Sequence, residues 1–138
     1  AEYRHSSWSA RMMAYYTANS NNELLRMPPV WVSGQLTRDF ILFKVLYLQG
    51  GLAAHYRASY FGEAYQPLKQ QFYLQNQNPL DAYVAADAFL NYRINRVRML
   101  LKFTHLNQGL GVPGYFTAPG YLAMRRVFSF GVFWPLFD

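Results

Sequence analysis

Apolar and polar residues alternate with a period of two over several separate segments of this chain. The clearest alternation covers residues 83–94, where one set of alternate positions includes Tyr83, Asp87, Asn91 and Arg93. The apolar positions of this segment are Val84, Ala86, Ala88, Leu90, Tyr92 and Ile94. Because successive side chains of a β-strand point to opposite faces, the period predicts a strand with one apolar and one polar face.

The same alternation recurs along the chain, with glycine, proline and asparagine gathered between the segments. Strands are predicted over residues 2–17, 30–37, 40–60, 84–94, 97–104 and 128–136, about six in all. The longest exceeds the usual five or six residues of globular strands and suits a tilted barrel strand. Short turns are predicted at residues 37–39 and 94–96, and long loops at residues 18–29, 62–80 and 107–120.

The arrangement of turns and loops indicates an antiparallel transmembrane β-barrel, with residues 1–138 forming the C-terminal part of one barrel domain. With the chain end in the periplasm, the short turns fall on that side and the long loops are extracellular, as outer-membrane barrels require. A membrane helix would need about 20 consecutive apolar residues. The longest uncharged stretch, residues 103–124, is interrupted by amides, glycines and prolines. Only 14% of the residues are charged, below the roughly one quarter typical of soluble domains.

Short motifs with a distinctive order and spacing run from about residue 46 to residue 138. They are Gly51 with His55-Tyr56-Arg57 and Tyr60, Tyr65-Gln66-Pro67, Gln71-Phe72-Tyr73-Leu74-Gln75-Asn76, Asp81-Ala82-Tyr83, Asp87-Ala88-Phe89, Arg93-Ile94-Asn95-Arg96-Val97-Arg98, Tyr115-Phe116-Thr117-Ala118-Pro119 with Tyr121, and residues 126–138 with Gly131 and Trp134. This pattern resembles the putative porins of the Bacteroidetes. The resemblance implies passive diffusion through the bacterial outer membrane, with no catalytic motif and no cofactor.

About six strands cannot close a barrel, because single-chain bacterial barrels have at least 8 and open sheet edges are not tolerated in lipid. The remaining strands are expected from preceding residues or from other subunits. Further expected partners are outer-membrane lipid and the barrel assembly machinery. That machinery reads a terminal aromatic strand, here carrying Phe128, Phe130, Trp134 and Phe137.

Polar side chains of the predicted strands are candidates for lining a lumen. They are His55, Arg57, Asp87, Asn91, Arg98 and Lys102. A basic lumen would favour anions by raising their local concentration. In the alternative interpretation, these groups pair with one another and stiffen a narrow or plugged barrel.

The long loop at residues 62–80 carries Tyr65, Phe72 and Tyr73 among many amides. Such a loop commonly folds into a lid that constricts the pore, although aromatic rings and amides also suit contact with carbohydrate or peptide. Lys44 falls on the apolar face of the predicted strand, where it would cost about 2 to 4 kcal/mol in mid-bilayer. It would either snorkel to the interface or mark a bulge that shifts the register.

Other chemistries have weak support. His5, His55 and His105 lie on separate segments without metal-ligand spacing, and nothing fixes a hydrolase geometry for His5, Ser59 and Asp87. The formal charge of +6 is spread between apolar residues, which disfavours nucleic-acid binding. The leading hypothesis is a porin-like channel. The alternatives are a non-conducting structural barrel in a larger assembly and a soluble β-rich binding protein.

Overall fold

The computed structural model describes residues 2–18, 26–110 and 114–135, which form an all-β structure. The strands are β1 (Glu2–His5), β2 (Trp8–Tyr16), β3 (Val30–Leu42), β4 (Leu46–Arg57), β5 (Ala64–Gln66), β6 (Gln71–Tyr73), β7 (Tyr83–Ile94), β8 (Val97–Thr104), β9 (Phe116–Ala118), β10 (Tyr121–Leu122) and β11 (Val127–Phe133). Over the described residues we find no helix of the length and apolar character needed to cross a membrane.

Seven strands form one antiparallel sheet in the order β1-β2-β3-β4-β7-β8-β11. Each strand pairs with the strand of this sheet that precedes or follows it in the sequence. The short hairpin β5-β6 lies within the connection between β4 and β7. The hairpin β9-β10 lies within the connection between β8 and β11. Strands β1 and β11 are the two edges of the sheet in the described part of the chain, and the seven strands do not close into a barrel.

The register separates the sheet into two chemically different faces, as the alternation predicts. His55, Asp87 and Lys102 share one face, because Asp87 pairs with Ala53 and Lys102 pairs with Phe89. We call this the polar face. The opposite, apolar face includes the cross-strand row Leu52, Ala88, Phe103 and Phe128.

Burial on the two faces is the reverse of that in a soluble sheet. The buried residues of the seven-stranded sheet are Ser33, Thr37, Tyr83 and Asp87, all on the polar face. On the apolar face, Leu52 and Phe130 are each 59% exposed. Antiparallel sheets in water pack their apolar face on a core and expose their polar face. Covering each large apolar side chain is favourable by about 1.5–3 kcal/mol, so this face has a strong preference for an apolar environment.

One predicted turn is wrong. Residues 37–39 lie inside β3, and the chain instead reverses at Phe43 and Lys44, whose φ angles are 53° and 58°. The reason is the pairing of β3 with β4, in which Asp39 accepts a hydrogen bond from the Gln49 amide at 2.9 Å. The predicted strand over residues 40–60 is therefore divided between β3 and β4. Lys44 lies in the turn itself, so neither snorkelling along a strand nor a bulge is needed to place it.

The N-terminal segment also differs from the prediction of one strand over residues 2–17. It forms a hairpin, β1-β2, that reverses at Ser6 and Ser7, and Ser6 has a φ of 54°. This hairpin brings the main sheet to seven strands instead of about six. The predicted turn at residues 94–96 is confirmed, with Asn95 at a φ of 51° between β7 and β8.

Short and long connections lie at opposite ends of the sheet, which confirms the predicted asymmetry. The short-turn end has the reversals at Ser6, Phe43 and Asn95. The long-connection end has residues 17–29, 58–82 and 105–126. The connections at residues 58–82 and 105–126 carry the two small hairpins, and these lie next to the polar face through contacts given below.

Candidate functional site

The six predicted lumen residues all lie on the polar face of the sheet. His55 and Arg57 are on β4, Asp87 and Asn91 on β7, and Arg98 and Lys102 on β8. Among the described strand residues, this face carries six basic side chains (Arg4, Arg11, Arg57, Arg93, Arg98 and Lys102) and three acidic ones (Glu2, Asp39 and Asp87). The excess of positive charge is thus concentrated on one side of the sheet.

At the short-turn end, the polar face forms a groove of about 890 Å³. An amide ladder crosses three strands of its wall. The Gln49 side chain donates to Asp39 Oδ1 at 2.9 Å and accepts from the Asn91 amide at 3.2 Å. The groove is also lined by two guanidinium groups, Arg93 and Arg98, so it offers hydrogen-bond donors beside apolar and aromatic surface.

In the middle of the polar face, small and aromatic side chains fill the space between strands. A Cβ at Gly51 would lie 2.7 Å from Phe89 Cε1 and 2.9 Å from Thr37 Cγ2, so the Phe89 ring lies directly across the glycine backbone. His55 Nδ1 is 2.9 Å from Ser33 Oγ. His55 also stacks on Trp31 with ring centroids 6.0 Å apart, which places it in a packed cluster instead of open space.

Toward the long-connection end, Asp87 joins two strands to the following connection. One carboxylate oxygen lies 3.1 Å from Lys102 Nζ, and the other accepts the backbone N–H of His105 at 3.0 Å. Asp87 is only 8% exposed. Lys102 neutralises the charge of this buried carboxylate, and the His105 N–H satisfies its second oxygen. Asp87 and Lys102 therefore pair with each other, as the alternative interpretation of the lumen residues expects.

Arg57 connects both hairpin-bearing connections to the polar face. Its guanidinium donates to the carbonyl oxygens of Phe116 at 3.3 Å and Asp81 at 3.5 Å, and it lies 5.2 Å from the Tyr60 ring centroid. Nearby, Tyr83 stacks on Tyr115 with centroids 4.3 Å apart. At the long-connection end, the polar face of the sheet is thus covered by the connections that follow β4 and β8.

The three aromatic residues predicted in the long loop lie in the hairpin β5-β6. Tyr65 packs on Phe72 at 5.1 Å and meets Tyr121 of β10 edge-on at 5.7 Å. These contacts join the two small hairpins to each other. Tyr73 pairs with Ala64 and is 50% exposed, so it lies on the outer side of the β5-β6 hairpin.

Two of the aromatic residues predicted on the terminal strand, Phe128 and Phe130, lie on the apolar face. Phe128 contacts Phe103 at 4.7 Å across β8 and β11, and Phe130 is on the same face. Trp134 follows β11 and is 63% exposed. Phe137 lies outside the described residues.

The contact between Tyr83 and Tyr115 was not predicted from the sequence. Tyr83 follows the alternation of β7, but the irregular connection around Tyr115 gives no indication that the two rings stack. His5 lies on the apolar face of β1 and Asp87 on the polar face of β7, so the structure does not assemble them with Ser59 into a hydrolase site. In the described part of the chain, no three histidine, aspartate or glutamate side chains are placed to hold a metal ion.

Comparison with known proteins gives one family. The sequence profile of the family described as "Putative porin" matches residues 1–138. No curated protein matches the chain, and no solved structure does.

Proposed function

This chain belongs to the putative porin family, and on that premise we propose that it forms part of the wall of an outer-membrane β-barrel channel for small hydrophilic solutes. The proposed route is passive diffusion along the polar face. Localisation to the bacterial outer membrane is part of the same proposal. Outer-membrane lipid would cover the apolar face, and the barrel assembly machinery would recognise the aromatic strand β11.

The reversed burial of the two faces carries this proposal. Large apolar side chains such as Leu52 and Phe130 are exposed, while polar groups such as Ser33 and Asp87 are buried. A transmembrane barrel needs this arrangement, because its outside meets hydrocarbon and its inside meets water or its own loops. The sequential antiparallel order and the asymmetry of turns and loops are also typical of such barrels.

Among the described strand residues, the apolar face carries one arginine, Arg38, near the short-turn end, and its surroundings are those of a residue at a membrane interface. Arg38 lies on this face, with its guanidinium carbon 5.0 Å from the Trp8 ring centroid and 5.1 Å from the Phe40 ring centroid. Tryptophan and other aromatic residues collect at membrane interfaces, where long cations reach the headgroups. We therefore propose that the Arg38 guanidinium reaches the headgroups on the periplasmic side of the bilayer.

Seven strands would not complete such a barrel, since bacterial barrels of a single chain have at least 8. In the described part of the chain, the edge strands β1 and β11 each pair with a neighbouring strand on one side only. We propose that further strands of the same protein or of other subunits pair with these edges.

A second candidate function is a structural barrel that does not conduct. The specific observation in its favour is the cover at the long-connection end, where Arg57 binds two connections and Tyr83 stacks on Tyr115. A plug held by such contacts would close the route unless it moves.

Conductance of the intact protein in a planar bilayer separates the two functions. The channel proposal predicts discrete ion currents from the folded full-length protein. A folded, bilayer-inserted protein that carries no current at any voltage or pH would contradict the channel and support the structural barrel.

A further inference from the structure

Two arginines face each other across neighbouring strands at the short-turn end. Arg93 on β7 and Arg98 on β8 are direct partners in the register and share the polar face. Side chains at such positions have Cβ atoms about 5 Å apart, and like charges there are unfavourable. Both residues are exposed and line the groove described above. In the ranges that the structure describes, neither forms a salt bridge.

In the part of the chain that the structure describes, the one carboxylate that lines this groove forms no salt bridge with either arginine. Asp39 lies on β3, two strands away from Arg93, and its carboxylate is hydrogen-bonded by Gln49. Asp87 lies on β7 itself, and its carboxylate is paired with Lys102. Among the described residues, neither guanidinium group is therefore paired with a carboxylate.

The groove also orients one guanidinium. Arg93 is the register partner of Tyr47, and its Cζ lies 4.6 Å from the Tyr47 ring centroid. Stacking on a ring holds the guanidinium plane while the N–H edges remain available for ligands. Two parallel N–H donors match the oxygen spacing of a carboxylate or a phosphate group, which a point charge such as lysine cannot do.

Resting on the channel function proposed above, we propose that Arg93 and Arg98 form an oxyanion-binding site that selects solutes carrying a phosphate or carboxylate group. The negative charge of the solute removes the repulsion between the two arginines, and the orientation by Tyr47 lowers the entropy lost on binding. The site would lie near the periplasmic mouth, because both residues adjoin the turn at Asn95.

Binding can be measured apart from conduction. The full-length protein is folded in detergent, and line broadening of inorganic phosphate by phosphorus NMR and of citrate by proton NMR gives the bound fraction of each. The Arg93→Gln/Arg98→Gln variant is expected to lose affinity about tenfold or more, because it can no longer donate charge-assisted hydrogen bonds to the anion. Broadening of phosphate but not citrate identifies a phosphate site, and the reverse identifies a carboxylate site.

The matched control is Lys69→Gln/Arg125→Gln, which removes the same charge from exposed positions in the long connections. It is expected to bind like the wild type. Equal affinity of the Arg93/Arg98 variant and this control would overturn the site, as would the absence of binding by the wild type. If the glutamine variant fails to fold, Arg93→Lys/Arg98→Lys keeps both charges and replaces it. That variant is also expected to bind more weakly, and unchanged affinity would overturn the site.

Bilayer recordings distinguish failure of this site from failure of the channel. A folded wild type that binds oxyanions but carries no current contradicts the channel and leaves the site intact. A wild type that conducts, but binds neither phosphate nor citrate, contradicts the site and leaves the channel intact.

Discussion

The guanidinium of Arg57 donates a hydrogen bond to the carbonyl oxygen of Phe116 at 3.3 Å. Arg57 ends β4 and Phe116 begins β9, so the bond joins residues 59 positions apart in the chain. A further bond to the Asp81 carbonyl oxygen adds the connection that precedes β7. One cation thus holds two connections over the polar face, and its removal should uncover that face.

Substitution Arg57→Gln is expected to loosen both connections without unfolding the sheet. Limited proteolysis should cleave residues 58–82 and 105–126 faster than in the wild type, and single-channel current should increase because the cover is released. Lys69→Gln, at the exposed tip of the β5-β6 hairpin, is the control. Unchanged proteolysis in Arg57→Gln would show that the cover does not depend on this residue.

The close approach of Phe89 to Gly51 predicts a large difference between two glycine-to-alanine substitutions. Gly51→Ala should destabilise the protein by about 1–3 kcal/mol, because the new methyl group overlaps Phe89 and Thr37. Gly34→Ala in β3 has no atom within 4 Å of the new Cβ and should be neutral or stabilising by about 0.5–1 kcal/mol. Urea unfolding of the lipid-reconstituted protein measures both. Equal midpoints would contradict the packing described for Gly51.

The two faces could be predicted from the sequence because alternation depends only on local geometry. Once a segment such as β7 is a strand, Asp87 and Asn91 must share a face opposite Leu90, whatever their neighbours are. The pairing of Asp87 with Lys102 was also foreseeable as one of two alternatives, since both belong to one predicted hairpin. The contacts of Arg57 and Tyr83 with residues 115 and 116 were not, because they depend on how a long irregular connection folds back.

The turn at Phe43 and Lys44 was missed because its residues carry no turn signal. Positive φ angles normally attract glycine or asparagine, whereas Thr37 and Asp39 have the polar character of a turn but are held in β3 by pairing with β4. The long-range pairing therefore outweighs the local preference at both places.

Replacing Phe43 and Lys44 by Asn-Gly should stabilise the hairpin β3-β4. Two non-glycine residues with positive φ cost roughly 1–2 kcal/mol each, and Asn-Gly is the preferred pair when both φ angles are positive. We expect a higher urea midpoint and faster folding into lipid vesicles. Asn95→Ala, at a φ of 51° in the next turn, should have the opposite effect. A lower midpoint for the Asn-Gly variant would contradict the turn geometry.

Asp87 and Lys102 should be energetically coupled. Asp87→Asn leaves Lys102 without its partner and weakens the acceptor for the His105 N–H, at an expected cost of about 1–3 kcal/mol. The share due to Lys102 is reduced because its side chain is 40% exposed to solvent. A double-mutant cycle with Lys102→Met, followed by urea unfolding, isolates that share. Additive effects of the two substitutions would show that the ion pair contributes nothing to stability.

Site-directed spin labelling tests the membrane orientation of the sheet most directly. The 138 residues contain no cysteine, so single cysteines at Leu52, Ala53, Ala54, Leu90 and Asn91 can carry the label in the reconstituted protein. We expect high collision rates with oxygen and low rates with a water-soluble nickel chelate at Leu52, Ala54 and Leu90, which lie on the apolar face. The opposite ranking is expected at Ala53 and Asn91. Chelate accessibility of the apolar-face positions equal to that of the polar-face positions would contradict the assignment of this face to lipid.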